Sequence, residues 1–132
     1  MNVRYRNQQD KSDPMNDAVI SETEHLSKLF EDRRKCMPFL ASLDGDNGYE
    51  LMIGLGSGVG WAQHSRQDGE LPYLVAVPTR QRVRSGYVEF LINNTPTPMR
   101  ARNILNFDEV KQIALHFLAT GERDEAFTWD SI

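Results

Sequence analysis

The chain has a single cysteine, Cys36, so no disulfide can form within it, which suits a reducing compartment. Apolar runs are short: Leu74 to Val77 is among the longest, far below what a bilayer span requires. The polar opening MNVRYRNQQDKSD does not read as a secretion signal, so a cytoplasmic protein without membrane attachment is expected. Histidines are sparse. His25, His64 and His116 lie far apart without H-x-x-x-H, C-x-x-C or E-x-x-H spacing, which argues against zinc, and none is near Cys36 to activate a thiol. At 132 residues there is room for one domain, residues 1–132, and not for two.

Signatures of catalysis are incomplete wherever they begin. GLGSGVG at Gly54–Gly60 resembles a phosphate-cradling loop, but the dinucleotide fingerprint needs a glycine where Val59 stands. It also needs a helix afterwards, and Trp61 to His64 read as strand, so a hairpin turn is expected. Gly56-Ser57-Gly58 is too short for a nucleophile elbow. The DGDNG stretch from Asp44 to Gly48 lacks the twelfth-position glutamate of a calcium loop, which is Leu55 here. No catalytic residue, metal or cofactor is therefore assigned, and an enzyme is not expected.

What is present is a clear pattern of elements. Phe107, Val110, Ile113, Ala114, Phe117 and Leu118 recur at helical spacing, with Asn106 and Glu109 placed for a capping box and Gly121 for the stop. An earlier helix carries Leu26, Leu29 and Phe30 inward, opens on a Ser21/Glu24 box and ends near Lys35. Residues 1–18 read as an edge strand, with Val3 and Tyr5 facing inward, and a loose connection. Between the helices the period becomes two, giving strands at Met37–Leu43, Tyr49–Leu55, Val59–Ser65, Leu71–Pro78, Tyr87–Ile92 and Thr97–Ile104. Joints so short make neighbouring strands antiparallel. The expectation is an α+β fold: a meandering sheet of about five to six strands with both helices packed on one face.

The two faces of that sheet differ. Leu51, Ile53, Leu55, Val59, Trp61, Leu71, Tyr73, Val75 and Val77 form a bulky side for the helices to cover. Glu50, Met52, Gly54, Gly60, Ala62, His64, Leu74 and Ala76 form a smaller, mixed side, either solvated or offered to a partner. Charge is uneven as well. Residues 1–79 carry eight Lys/Arg against twelve Asp/Glu, residues 80–102 five against one, and residues 103–132 two against six. The basic band, Arg80, Arg82, Arg84, Arg100 and Arg102, either solvates a rim or grips phosphates, although no aromatic residue alternates with it to stack bases.

One segment is more specific. FLATGERDEAFTW, Phe117–Trp129, resembles the closing motif of immunity family one of bacterial polymorphic-toxin systems, in which a helix ends in phenylalanine, Thr-Gly, Arg-Pro and a tryptophan. Phe117, Thr120, Gly121, Arg123 and Trp129 match, and Asp124 replaces the usual proline. The order of elements from about Ser21 onward is similar too. The resemblance implies a protein that neutralises a toxin domain by binding it, usually a nuclease or nucleic-acid deaminase; one member protects against a cytosine deaminase toxin acting on DNA. Carboxylates suit the basic clefts of such toxins, so Asp44, Asp46, Glu50, Asp68 and Glu70 are the candidate contacts, with Met52 and His64 on the open face. Whether the chain pairs with itself stays open.

The rival is a small nucleic-acid-binding or regulatory domain that uses the arginine band. Titration with a labelled oligonucleotide at two salt concentrations separates the readings. Tight, steeply salt-dependent binding would support the rival, whereas an antitoxin is expected to bind weakly or not at all.

Overall fold

The computed structural model describes residues 1–132 apart from Arg82 and Arg84. In chain order the elements are β1 (Val3–Asn7), β2 (Val19–Ile20), α1 (Thr23–Asp32), β3 (Phe39–Gly45), β4 (Tyr49–Gly56), β5 (Val59–Arg66) and β6 (Leu74–Val77). The hairpin of β7 (Tyr87–Ile92) and β8 (Thr95–Arg100) follows, then β9 (Leu105–Asn106), α2 (Phe107–Thr120) and β10 (Thr128–Ser131). The fold is α+β with an almost wholly antiparallel sheet, but that sheet has ten strands among the described residues instead of five or six.

The additional strands are β1, β2, β9 and β10, and three departures from the simple meander reshape the sheet. β1 is not an edge: it lies between β3 and β2, so the N-terminal segment extends the sheet by two strands. β6 pairs with β10 and not with β7, which makes the C-terminus the far edge. The β7–β8 hairpin instead reaches back to β3, with a parallel pair at Phe39 and Leu91. Other boundaries shift locally. The expected strand Thr97–Ile104 is divided by a single 3-10 turn at Ala101–Asn103, and Leu71–Pro78 contracts to Leu74–Val77 after a cis Leu71–Pro72 peptide.

Register decides which side chains share a face. Gly56 pairs with Val59 across a two-residue turn, so Leu51, Ile53 and Leu55 stand opposite His64, Ala62 and Gly60. The expected bulky side, which grouped Trp61 and Val75 with the leucines, is therefore wrong by one residue along β5 and β6. The helix-covered face carries Leu43, Leu51, Ile53, Leu55, Ala62 and Ala76 against Leu26, Phe30, Val110, Ile113 and Phe117. The opposite face is not open throughout. Leu40, Trp61 and Val75 are buried there with Phe90 and Ile104, beneath the β7–β8 hairpin.

The glycine run serves these two approaches. A Cβ on Gly60 would stand 2.6 Å from Val110 of α2, and one on Gly54 would stand 2.7 Å from the Phe90 ring on the other face. Both layers come too close for a side chain. α2 is capped as its sequence indicates: the Glu109 amide donates to Asn106 Oδ1 at 2.7 Å, the Asn106 amide to Glu109 Oε1 at 2.9 Å, and Gly121 closes the helix in the left-handed region. α1 begins differently. Its N-cap is Glu22, without a side-chain bond, because β2 holds the chain extended through Ile20 and places Glu24 one position short of the box. Arg34, just past α1, lies 4.1 Å over the Phe107 ring and joins the two helices.

The expected loose connection before β2 is pinned by a buried ion pair. Asp13 accepts from Arg33 Nε at 2.9 Å and Nη2 at 2.5 Å, and from the Tyr5 hydroxyl at 2.9 Å. Burial opposes ionisation of Asp13, but the bonds from Arg33, Asn7, the Met15 amide and Tyr5 outweigh it and hold the carboxyl well below its ordinary value of 3.8. Asp13→Asn leaves the guanidinium buried without its counter-charge and is expected to lower unfolding free energy by about 3 kcal/mol in urea denaturation at pH 7. The wild type's advantage is present above pH 3.8 and is lost as pH falls through the depressed folded value, so the two proteins converge on acidification.

Candidate functional site

One end of the sheet gathers three separate chain segments. The Gln67 side-chain amide donates to the carbonyls of Gly45 at 2.6 Å and Tyr49 at 2.7 Å, which ties the β3–β4 turn to the loop after β5. Asn47 donates to the Gly121 carbonyl at 3.0 Å and brings in the exit of α2. Asp44, Asp46, Glu50, Asp68 and Glu70 thus share one end of the molecule. Asp46 accepts from the Asn2 amide at 3.1 Å. Asp68 accepts from Arg66 at 2.5 Å and from the Glu70 amide at 2.9 Å; the Glu70 amide, more than Arg66, lowers its pKa. Glu50 stands directly across the hairpin from Asp44, and its pKa is raised by burial first and by the Asp44 charge second.

Met52 and His64 do not share a face, contrary to the sequence reading. The β4–β5 register places Met52 against the Trp61 cluster and sends His64 to the helix side. There His64 is 7% exposed, stacked on Tyr49 with ring centroids 4.9 Å apart, and set edge-on to Phe117 and Trp129. Its Nε2 is buried without a hydrogen-bond partner. Beside it opens a groove of about 620 Å³ lined by Tyr49, His64, Arg66, Leu74, Glu122, Arg123, Glu125 and Trp129, among others. The sequence reading missed Tyr49, Glu122 and Glu125 as lining residues; nothing in local spacing marks them.

The arginine band is less available than its sequence suggests. Arg102 is bound to Asp130 at 2.7 Å, and Arg82 and Arg84 lie outside the described residues. Arg80 and Arg100 are exposed. Among the described residues, no group of three or more His, Cys, Asp or Glu side chains is placed to hold a metal, and no helix is long and apolar enough to cross a membrane.

The family model described as immunity protein Imm1 matches residues 15–131. The chain belongs to the Imm1 immunity protein family. No curated protein matches it. In this Imm1 protein the closing motif does more than end a helix: Gly121, Arg123 and Trp129 all line the groove. The departure at Asp124 is accommodated by side-chain bonding. Asp124 accepts from the Ala126 amide at 2.9 Å and from Gln112 at 3.0 Å, while its carbonyl accepts the Trp129 indole N–H at 3.1 Å. A carboxylate thereby shapes a turn of the kind that proline otherwise stiffens.

Burial, and next the charge of Arg123, lower the His64 pKa from 6.5; the Gly121 backbone and Glu122 act in the other direction. The folded protein thus prefers the neutral ring. As pH falls through 6.5 toward the folded value, the unfolded chain takes up a proton that the native chain refuses, and stability drops. Thermal midpoints between pH 7.5 and 5 are expected to fall on acidification in the wild type, with the slope reduced in His64→Gln.

Proposed function

We propose that this Imm1 protein protects its cell by binding a toxin domain that acts on nucleic acid, a nuclease or a deaminase, and that it has no catalysis of its own. The immunity role comes with the family; the class of toxin and the surface are the proposal. The observation that carries it is the acidic end of the sheet. Five carboxylates from two hairpins, Asp44, Asp46, Glu50, Asp68 and Glu70, are held there by Gln67 and Asn47, and Glu122 and Glu125 join them from the exit of α2. A nucleic-acid enzyme concentrates positive charge where it grips phosphate, and an inhibitor of opposite charge gains association rate and selects its partner by that match. Met52 on one face and His64 on the other flank this end, with Met52 a secondary contact. Such an inhibitor works where the toxin meets its substrate, in the cytoplasm.

Expression of the toxin domain encoded by the adjacent gene, with and without this protein, tests the reading. The domain is expected to be toxic alone and harmless in its presence; equal toxicity in both cases would overturn the proposal. The triple variant D46N/D68N/E70Q removes exposed charge and is expected to slow association by about tenfold at low salt, with the difference narrowing at high salt. Stopped-flow mixing at two ionic strengths measures this.

A further inference from the structure

We infer that the groove beside His64 receives an arginine side chain of the toxin, a point that rests on the proposed function and specifies its central contact. The buried imidazole motivates it. His64 is 7% exposed, lines the groove, and keeps Nε2 without any hydrogen-bond partner, an arrangement rare in folded proteins unless something else completes it. Nε2 is the buried ring nitrogen without a partner, and the inferred contact takes the neutral ring with its proton on Nδ1. Nε2 of the neutral ring is then an acceptor, and what it lacks is a donor.

The surroundings select a cationic donor. Arg66 is already bound to Asp68, so the lining presents two carboxylates, Glu122 and Glu125, against one remaining cation, Arg123, whose charge acts on the ring more strongly than that of Glu122. The C-terminal end of α2 adds the negative end of its dipole. Tyr49 and Trp129 supply aromatic surface, and the Trp129 indole N–H is occupied by the Asp124 carbonyl, so that ring offers no competing donor. A guanidinium fits these features together: it stacks on aromatic rings, bonds carboxylates in pairs and carries spare donors for an imidazole nitrogen. Nε2 is closed to solvent in the free protein, and Tyr49, exposed and stacked on the ring, is the side chain whose turning admits the guest.

Calorimetry with the full chain and the inactivated toxin domain encoded by the adjacent gene tests this. Tyr49→Ala and the double variant E122Q/E125Q change exposed side chains, so their thermal midpoints should stay near wild type while each weakens binding at least tenfold. The ¹⁵N resonance of His64 Nε2 should move on complex formation. Wild-type binding with unaltered affinity in both variants and a stationary Nε2 resonance would overturn the groove contact and leave the immunity reading standing. Tighter binding by E122Q/E125Q with weaker binding by Arg123→Gln would also overturn it, since the guest would then be an anion. Absence of any binding by the wild type would remove the proposed partner, and the groove contact with it.

Discussion

The two-residue turn at Ser57-Gly58 sets the register on which the rest of the molecule depends. By pairing Gly56 with Val59 it places Gly60, Ala62 and His64 beneath α2, and Trp61 beneath the β7–β8 hairpin. Side chains alternate with period two along a strand, so adding or removing one residue here would exchange the faces of β5 and of everything paired beyond it. His64 would then leave Phe117 and Tyr49, and a large aromatic residue would meet α2 where only Gly60 fits. The cores on both sides of the sheet therefore enforce one register. The groove at its end inherits its shape from that choice.

The acidic end is assembled on neutral scaffolding. Gln67 and Asn47 hold the turns through backbone carbonyls, which leaves most of the neighbouring carboxylates facing water. Asp44 and Glu50 repel one another across the β3–β4 hairpin, a cost that the free protein carries. In the proposed complex a basic toxin surface relieves it, so that charge which weakens the fold strengthens recognition. The opposite logic governs Asp13 and Arg33, where a fully satisfied pair locks the N-terminal segment and contributes nothing to the surface.

Legibility in the sequence followed the range of the interactions. The start, stripe and stop of α2 were readable because Asn106, Glu109 and Gly121 act on neighbours within one turn. The hairpins were readable from their turn residues. The Ser21/Glu24 box failed because β2, a two-residue strand visible only once it pairs with β1, fixed the chain just ahead of the helix. The candidate acids could be placed on adjacent hairpins from their turn residues; the tie between those hairpins could not, since it depends on the Gln67 side chain crossing from one to the other. Tyr49, Glu122 and Glu125 carried no local signal; only the family-like motif touched the groove, through Gly121, Arg123 and Trp129.

The sequence by itself determined the fold class, the capped and terminated α2, the absence of recognisable catalytic or metal-binding spacing, and membership of an immunity family. These rest on periodicity, turn chemistry and short motifs, all of which are written along the chain. The tertiary structure alone decided which face each strand presents, where the C-terminal strand pairs, and that a buried histidine with an unpartnered Nε2 lies in one groove with Glu122 and Glu125. Those outcomes depend on register and on contacts between residues dozens of positions apart, where a shift of one residue changes the answer and nothing local records it.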